Sequence, residues 1–410
     1  MMISKKVVVI GAGAAGLMAG ATAALYGASV TIIEKNKRVG RKIMITGKGR
    51  CNLANNCDVQ TFINNVPVNG KFLYSAINAF TPEDTIEFFE SKGLKTKTER
   101  GNRVFPASDK SVDVVDTMHD YAVESGCKIV CDTANALILE DGAVIGVKCE
   151  ENTYYADSVI ICCGGKSYPL TGSTGDGYIL AKQAGHTIIP LKPSLVPFTS
   201  GDKQCKDMQG LALKNVALRV VDKNSKKIVY SDFGEMLFTH YGISGPIILS
   251  ASSRMDYPDR HNYRIVIDLK PALDEKTLDK RILRDFDENN NKDFINSLSK
   301  LLPNKIIPVI VKLSGIEPSL KCNQITKEQR RQLVTLLKNF TLNVSGFRPL
   351  DEAIVTSGGV SVREIEPKTM RSKLIDNLFF AGEVIDVDAY TGGFNLQIAF
   401  STGYVCGQNM

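Results

Sequence analysis

The sequence predicts an α/β protein whose nucleotide-binding domain is assembled from both ends of the chain, with other domains inserted between them. Three observations predict it. A strand, glycine turn, helix and second strand open the chain in "KKVVVIGAGAAGLMAGATAALYGASVTIIEK". A strand, glycine-rich turn and small-residue helix return near the end in "NLFFAGEVIDVDAYTGGFNLQIAFSTGYVCG". Between them the pattern changes to antiparallel alternation and then to helices. At 410 residues the chain exceeds the roughly 250 to 300 at which one core stops growing, so two or three domains are expected. The expected boundaries are 1–190 with 346–410 for the nucleotide-binding domain, 191–271 with 340–345 for a β domain, and 272–339 for a small helical domain.

Each element follows from local chemistry. "KKVVVI" is the kind of apolar run that is buried on both faces, "GAGAAG" is a turn, "LMAGATAALY" is a helix stopped by Gly27, and "SVTIIEK" is the next strand. Thr81 reads as an N-cap with Pro82 at the first helical position and acids in the first turn. A second helix spans about Ser111 to Ser125. The stretch from Cys127 to Gly165 alternates around an Asp141-Gly142 turn and predicts a β-meander leading to a buried strand. Alternation continues through "ALKNVALRVVDKNSKKIVYSDFGEMLFT" and "NYRIVIDLKP". Residues 272–339 are helical, closing on a Thr326/Gln329 capping box.

Composition excludes several classes. Hydrophobic residues make up 43% and charged residues 23%, as in ordinary globular proteins. The net charge of +6 comes from 50 basic and 44 acidic residues without a block of like charges, so no nucleic-acid arm is expected. No apolar run is long enough for a membrane span and the chain enters a strand at once, so a cytoplasmic protein is expected. The ten cysteines are scattered, only four histidines accompany them, and no paired C-x-x-C motifs occur. A metal site is therefore not expected.

Gly11, Gly13 and Gly16, with Ala12 and Ala15 between them, form G-x-G-x-x-G directly between strand and helix. The first two glycines let the turn tighten and a pyrophosphate approach the backbone, the third lets the helix pack on the strand, and the helix N-terminus supplies positive potential. Glu34, followed by Lys35, stands 23 residues after Gly11, where an acid can bond both ribose hydroxyls of an adenosine. The fingerprint alone does not separate NAD from FAD. The second glycine junction suits the longer ligand: Gly382 and Glu383 end a buried strand, where Glu383 can bond the ribityl hydroxyls of FAD. Gly392 and Gly393 lead into a helix at Phe394, Asn395 and Leu396, whose free N–H groups can face charge at flavin N1 and C2=O. A third junction, Gly164-Gly165, follows "VIICC" at another strand end.

"ITGKGRCNLANNC" admits two readings. As a backbone cradle, Thr46 to Asn52, including Gly49, Arg50 and Cys51, line the flavin, with Arg41 and Lys42 near the adenosine or pyrophosphate. As a redox pair, Cys51 and Cys57 would have to approach. Six helical steps separate Cα atoms by about 9 Å, beyond the roughly 4.4 to 6.8 Å that a disulfide spans. The cradle is the reading carried forward.

The chain resembles the BaiN-like (YhiN-like) family of FAD-dependent oxidoreductases over essentially its whole length. The stretches that carry the resemblance are "GAGAAG", "GRKIMITGKGRCNLAN", "GKSYPLTGSTGDGY", "SLVPF", "GEMLFTHYGISGP", "TSGGV" and "FFAGEVIDVDAYTGGFNLQIAFSTG". Lys48 departs from the glycine expected in the family's G-G-G-R-C-N loop. The resemblance implies a Rossmann-like FAD-binding domain of the two-dinucleotide-binding-domain flavoprotein type, an inserted antiparallel β-barrel-like domain and a small helical domain. It places His240, in "LFTHYGISGP", on the insertion facing the FAD domain, where it can donate a proton or bind a substrate carbonyl. His119, His186 and His261 are weaker candidates.

The expected activity is hydride transfer between flavin N5 and a small or flat organic substrate held between the FAD domain and the insertion. The family offers two precedents: reduction of an activated C=C bond of the 3-oxo-bile-acid or steroid type, which is favoured, and oxidation of aminoacetone with O₂. NAD(P)H would serve only by transient docking. Rival readings are a non-enzymatic flavin sensor and an RNA-modifying flavoenzyme. Oligomeric state is left open.

Overall fold

The computed structural model describes residues 4–255 and 262–410; His261 lies outside them. The chain divides into two compact units, residues 1–194 with 350–410, and residues 195–349. The helical segment 272–339 lies within the second unit.

The first unit is built on a five-stranded sheet, ordered Leu378–Phe380, Ser158–Ile161, Lys6–Ile10, Ser29–Glu34, Lys128–Cys131. Every neighbouring pair is parallel. The chain adds strands outward on one side of Lys6–Ile10 and then returns to its other side with Ser158–Ile161. That reversal creates a switch point, where ligands bind in open α/β sheets. Val7 to Ile10 and Val159 to Ile161 are buried, as the apolar runs predict. The expected meander from Cys127 is corrected in one respect. Its first strand, Lys128–Cys131, pairs in parallel with Thr31 to Glu34 at the edge of the main sheet, and only Ala134–Glu140, Ala143–Cys149 and Thr153–Tyr155 form the antiparallel meander.

Two helices cover the strand ends. Ala14–Leu25 and Phe394–Gln408 approach at backbone distance: a Cβ on Gly403 would stand 2.4 Å from the Ala15 carbonyl oxygen, and one on Gly407 would stand 2.6 Å from that of Ala19. Small residues on both faces make this contact possible, which explains why the two helices read as alanine- and glycine-rich. Thr402, within the second helix, accepts from the Gly382 N–H at 2.9 Å and so ties the helix to the junction after the last strand. The Thr81/Asp84 and Thr326/Gln329 capping boxes are both formed.

The second unit carries a seven-stranded sheet, ordered 340–343, 263–268, 212–222, 228–239, 242–244, 198–199, 346–347. All its pairings are antiparallel. Its two edge strands are joined by Val344 and Ser345 alone, so the sheet curls until its edges meet, in the manner of a barrel. Helices Glu275–Asp287, Ile307–Ser314 and Lys327–Lys338 belong to this unit. No helix among the described residues is long and apolar enough to cross a membrane.

Candidate functional site

The site in the first unit begins where Lys6–Ile10 ends. Gly11 donates to the Ile33 carbonyl at 2.8 Å, turning the chain sharply. A Cβ on Gly16 would lie 1.8 Å from the Gly11 carbonyl oxygen, so only glycine lets the helix start so close to the strand. At Gly13 a Cβ would meet nothing within 4 Å. The turn is therefore packed tight behind and open in front, the room a pyrophosphate needs. The first intrahelical bond runs from Leu17 N–H to Gly13 O, leaving the amides of Ala14, Ala15 and Gly16 for an anion, and no acid in the first turn offsets the helix's positive end.

Glu34 is fixed for its expected role. Its Oε2 accepts from Ala12 N–H at 2.9 Å, and its Oε1 accepts from the Asn36 backbone N–H at 2.9 Å and Asn36 Nδ2 at 2.6 Å. Lys35 turns to the facing loop, where Nζ reaches Asp176 Oδ2 at 2.6 Å. Arg41 donates to Asn36 Oδ1 at 2.6 Å and thereby steadies the acid's support.

The strand-end junctions converge. Lys42 Nζ donates to Glu383 Oε2 at 2.7 Å and Ser167 Oγ at 2.7 Å. Thr356 N–H donates to Glu383 Oε1 at 2.8 Å. A Cβ on Gly165 would stand 2.8 Å from Glu383 Oε1. Gly164-Gly165, Gly382-Glu383 and Lys42 thus form one cluster.

A second convergence joins the "TGKGRCN" loop to the C-terminal glycine turn. The Asn52 amide, oriented by its surroundings, accepts from Gly393 N–H at 3.0 Å and donates to the Val104 and Ala54 carbonyls. Asn55 Nδ2 donates to the Gly392 carbonyl at 3.0 Å. Gly393 sits at φ +99, and a Cβ there would strike the Ala54 carbonyl oxygen at 2.2 Å. Asn395 folds back on its own approach, accepting from Ala389 N–H at 2.9 Å. The helix has no side-chain cap and no acid in its first turn, so the amides of Phe394, Asn395 and Leu396 keep their positive end uncompensated. These features fit FAD: an open pyrophosphate turn, an oriented ribose acid, and a second bare helix N-terminus reached by the loop that a flavin would lie against.

Other side chains of the loop have partners and surroundings of their own. Arg50 pairs with Glu99, donates from Nε to Asp109 Oδ1 at 2.7 Å, and stacks 4.2 Å over Phe105. The structure makes it the anchor of the loop. Cys51 is 0% exposed, and burial pushes its thiol up to about 12; burial and then Asp58 push half-buried Cys57 up to about 11. Neither is a ready thiolate. Iodoacetamide at pH 8 is expected to modify exposed Cys131 first and to reach Cys51 only on unfolding; rapid loss of the Cys51 or Cys57 thiol by peptide mapping would restore the redox-pair reading.

Lys48 is exposed and left-handed, at φ 59 and ψ 42, between Gly47 and Gly49. Its side chain costs backbone strain of about 1 kcal/mol there. Lys48→Gly is expected to stabilise the protein by about that much, read from the urea midpoint at unchanged slope. His240 lies in the second unit, exposed at the turn between strands 228–239 and 242–244, its ring edge-to-face with Tyr241 at 4.9 Å between centroids. Sequence reasoning passed over Asn36, Asn55 and Thr356, which hold the proposed ligands. Asn55 and Thr356 stood inside the quoted stretches "ITGKGRCNLANNC" and "TSGGV", but their partners Gly392 and Glu383 are brought to them only by folding.

A Rossmann-type dinucleotide-binding protein, built as a two-part cradle for an extended cofactor, is the class these features define. The chain belongs to the family described as HI0933-like protein Rossmann domain, which matches residues 5–409. It is 30% identical over 405 residues to the 3-dehydro-bile acid delta(4,6)-reductase of Clostridium scindens, covering 98% of this chain and 97% of that protein. It is 29% identical over 404 residues to the ribosomal RNA dihydrouridine synthase of Escherichia coli, covering 98% and 97% respectively. Among solved structures, the fold is similar to that of a 3-ketosteroid delta1-dehydrogenase from Sterolibacterium denitrificans, with a TM-score of 0.51 at 11% identity over 99% of each chain. It is also similar to Mycobacterium smegmatis Sdh1, with a TM-score of 0.52 at 15% identity over 99% of this chain and 68% of that one. By family and fold, the protein is an FAD-dependent oxidoreductase.

Proposed function

We propose that this protein reduces a C=C bond conjugated to a carbonyl. The observation that carries the reading is a shared chemistry behind two different relatives. A 3-dehydro-bile acid delta(4,6)-reductase saturates double bonds in conjugation with a ring ketone, and a dihydrouridine synthase saturates the uracil C5=C6 bond in conjugation with C4=O. Both full-length relatives thus add two hydrogens to the same kind of acceptor.

Bound FAD would supply the two-electron chemistry. The fingerprint turn, with the amides of Ala14 to Gly16, holds the pyrophosphate, and Glu34 accepts from the ribose hydroxyls. Lys42 and Glu383 hold the middle of the cofactor, while Phe394 to Leu396 present N–H groups to the flavin's pyrimidine edge and favour negative charge there. His240 is retained from the family resemblance as the candidate hydrogen-bond donor to a substrate carbonyl. His240→Ala is then expected to raise KM about 5- to 10-fold, the loss of one ordinary hydrogen bond, with flavin content unchanged. Unaltered KM and kcat would remove His240 from the site.

The test is an anaerobic visible titration of the purified protein with NADH and then NADPH. Reoxidation of the reduced protein is followed with a 3-oxo-Δ4 bile acid, with a ribosomal RNA fragment and with O₂. Bleaching followed by recovery with the bile acid supports the steroid-type substrate, and recovery with the RNA alone moves the same chemistry to uracil. Rapid recovery with O₂ alone, after reduction by aminoacetone, replaces the reductase with an oxidase.

A further inference from the structure

Glu34 is to accept from both hydroxyls of an adenosine ribose, yet three N–H groups already point at its carboxylate. A carboxylate offers about four acceptor sites, two on each oxygen. Oε1 receives the Asn36 backbone N–H at 2.9 Å and Asn36 Nδ2 at 2.6 Å, and Oε2 receives the Ala12 N–H at 2.9 Å. Both places on Oε1 are therefore taken, and one is left on Oε2, where two hydroxyls need two. The backbone amides are fixed by the turn, so the Asn36 side chain is the donor that can leave. It has somewhere to go. Nδ2 also lies 3.4 Å from the Thr171 carbonyl oxygen, beyond the roughly 2.7 to 3.2 Å of a full N–H···O bond. Arg41, which can only donate, bonds Oδ1 at 2.6 Å and fixes which end of the amide faces the acid.

Thr171 ends the short turn Pro169–Thr171, and the chain runs from it through Gly175 into the helix Asp176–Gln183. This loop meets the end of strand Ser29–Glu34 at two places. A Cβ on Gly172 would stand 2.4 Å from Asn36 Nδ2, so the loop backbone lies directly against that side chain. Further along, Lys35 Nζ donates to Asp176 Oδ2 at 2.6 Å and to the Thr174 hydroxyl. The two residues that follow the ribose acid thus both grip the loop. We propose that Asn36 is a positioning residue that changes acceptor when the adenosine ribose docks. One ribose hydroxyl takes the free place on Oε2, the other takes the Oε1 place that Nδ2 gives up, and Nδ2 moves fully to the Thr171 carbonyl. The loop from Thr171 to Asp176 is thereby drawn onto the adenosine end, where Lys35 and Asp176 latch it. The proposal rests on Glu34 as the ribose acid. Its consequence is selective: the latch slows release of a cofactor that carries adenosine, and has no hold on one that ends at the flavin phosphate.

Hydrogen–deuterium exchange of the full chain follows the loop amides. Saturating FAD is expected to slow exchange over 171–177 by about 10-fold or more. ADP, which carries the same ribose and two phosphates, is expected to do the same, whereas 2′,3′-dideoxy-ADP and FMN leave the loop unprotected. In Asn36→Ala, saturating FAD binds without slowing the loop. Equal protection by FAD in Asn36→Ala and the wild type, or by dideoxy-ADP and ADP, would overturn the change of acceptor. Asp176→Asn examines the latch with Asn36 intact. Its FAD release, read from the recovery of flavin fluorescence, is expected to be about 5- to 10-fold faster, the loss of a charge-assisted bond at a half-exposed site, with FMN release unchanged. The charge-swapped pair Lys35→Asp with Asp176→Lys should restore slow release. An unchanged FAD release rate in Asp176→Asn, or an equal acceleration for FMN, counts against the latch. Glu34→Ala separates the two levels of the argument. Full FAD affinity in that variant removes the ribose reading and the proposal with it; lost affinity there, beside full loop protection in Asn36→Ala, removes the proposal alone.

Discussion

Gly16→Ala is expected to abolish FAD retention and lower the thermal midpoint by roughly 6 to 12 °C, the equivalent of about 3 kcal/mol. The Cβ it adds would sit 1.8 Å from the Gly11 carbonyl oxygen. That atom belongs to a backbone fixed by its own hydrogen bond to the Ile33 carbonyl, so helix and strand must part. Gly13→Ala is the control. Its φ of −86 suits any residue and its Cβ would meet only open space, so the midpoint of the apoprotein should stay within about 1 °C while FAD affinity falls. Calorimetry with and without FAD separates the two. An equal loss of stability in both variants would mean that the turn is a packing device and not a cradle.

Glu34→Ala is expected to weaken FAD binding about 10- to 100-fold, the worth of roughly 1.5 to 3 kcal/mol for hydrogen bonds to a charged acceptor. The carboxylate also organises the turn, because it receives the Ala12 and Asn36 amides. Glu34→Gln keeps one acceptor oxygen and should lose less. Fluorescence titration of apoprotein with FAD measures both, and unchanged affinity in Glu34→Ala would remove the acid from the ribose.

Local signals made much of this legible beforehand. The fingerprint turn, the Thr81 N-cap, the Thr326/Gln329 capping box and the two small-residue helices are written in residues within a few positions of one another, and such patterns carry their own geometry. Strand Lys128–Cys131 was read as part of the β-meander because four apolar-rich residues do not announce a partner ninety-seven positions earlier, where Lys128 pairs with Thr31. The side-chain partners of Arg50 were hidden for a similar reason: Glu99 and Asp109, with which it pairs, are brought to it only by folding. Asp386 and Asp388, inside the quoted "GEVIDVDAYTGG" stretch, received no reading of their own. Their burial depends on Ser194 and Asn69, which only tertiary folding brings near.

The split construction of the first unit has a consequence for synthesis. Its sheet takes a strand from residues 378–380, and its opening helix packs on a helix that starts at Phe394. A ribosome therefore delivers the whole 195–349 unit before the cradle can close. Until then Val159 to Ile161 lack the neighbour they pair with in the finished sheet, and the flank of the Ala14–Leu25 helix is bare. A nascent chain in this state exposes apolar edge to chaperones and proteases. Cofactor supply can rescue it only after translation has passed Leu396, so flavin starvation should act on the newly finished polypeptide and not on the growing one.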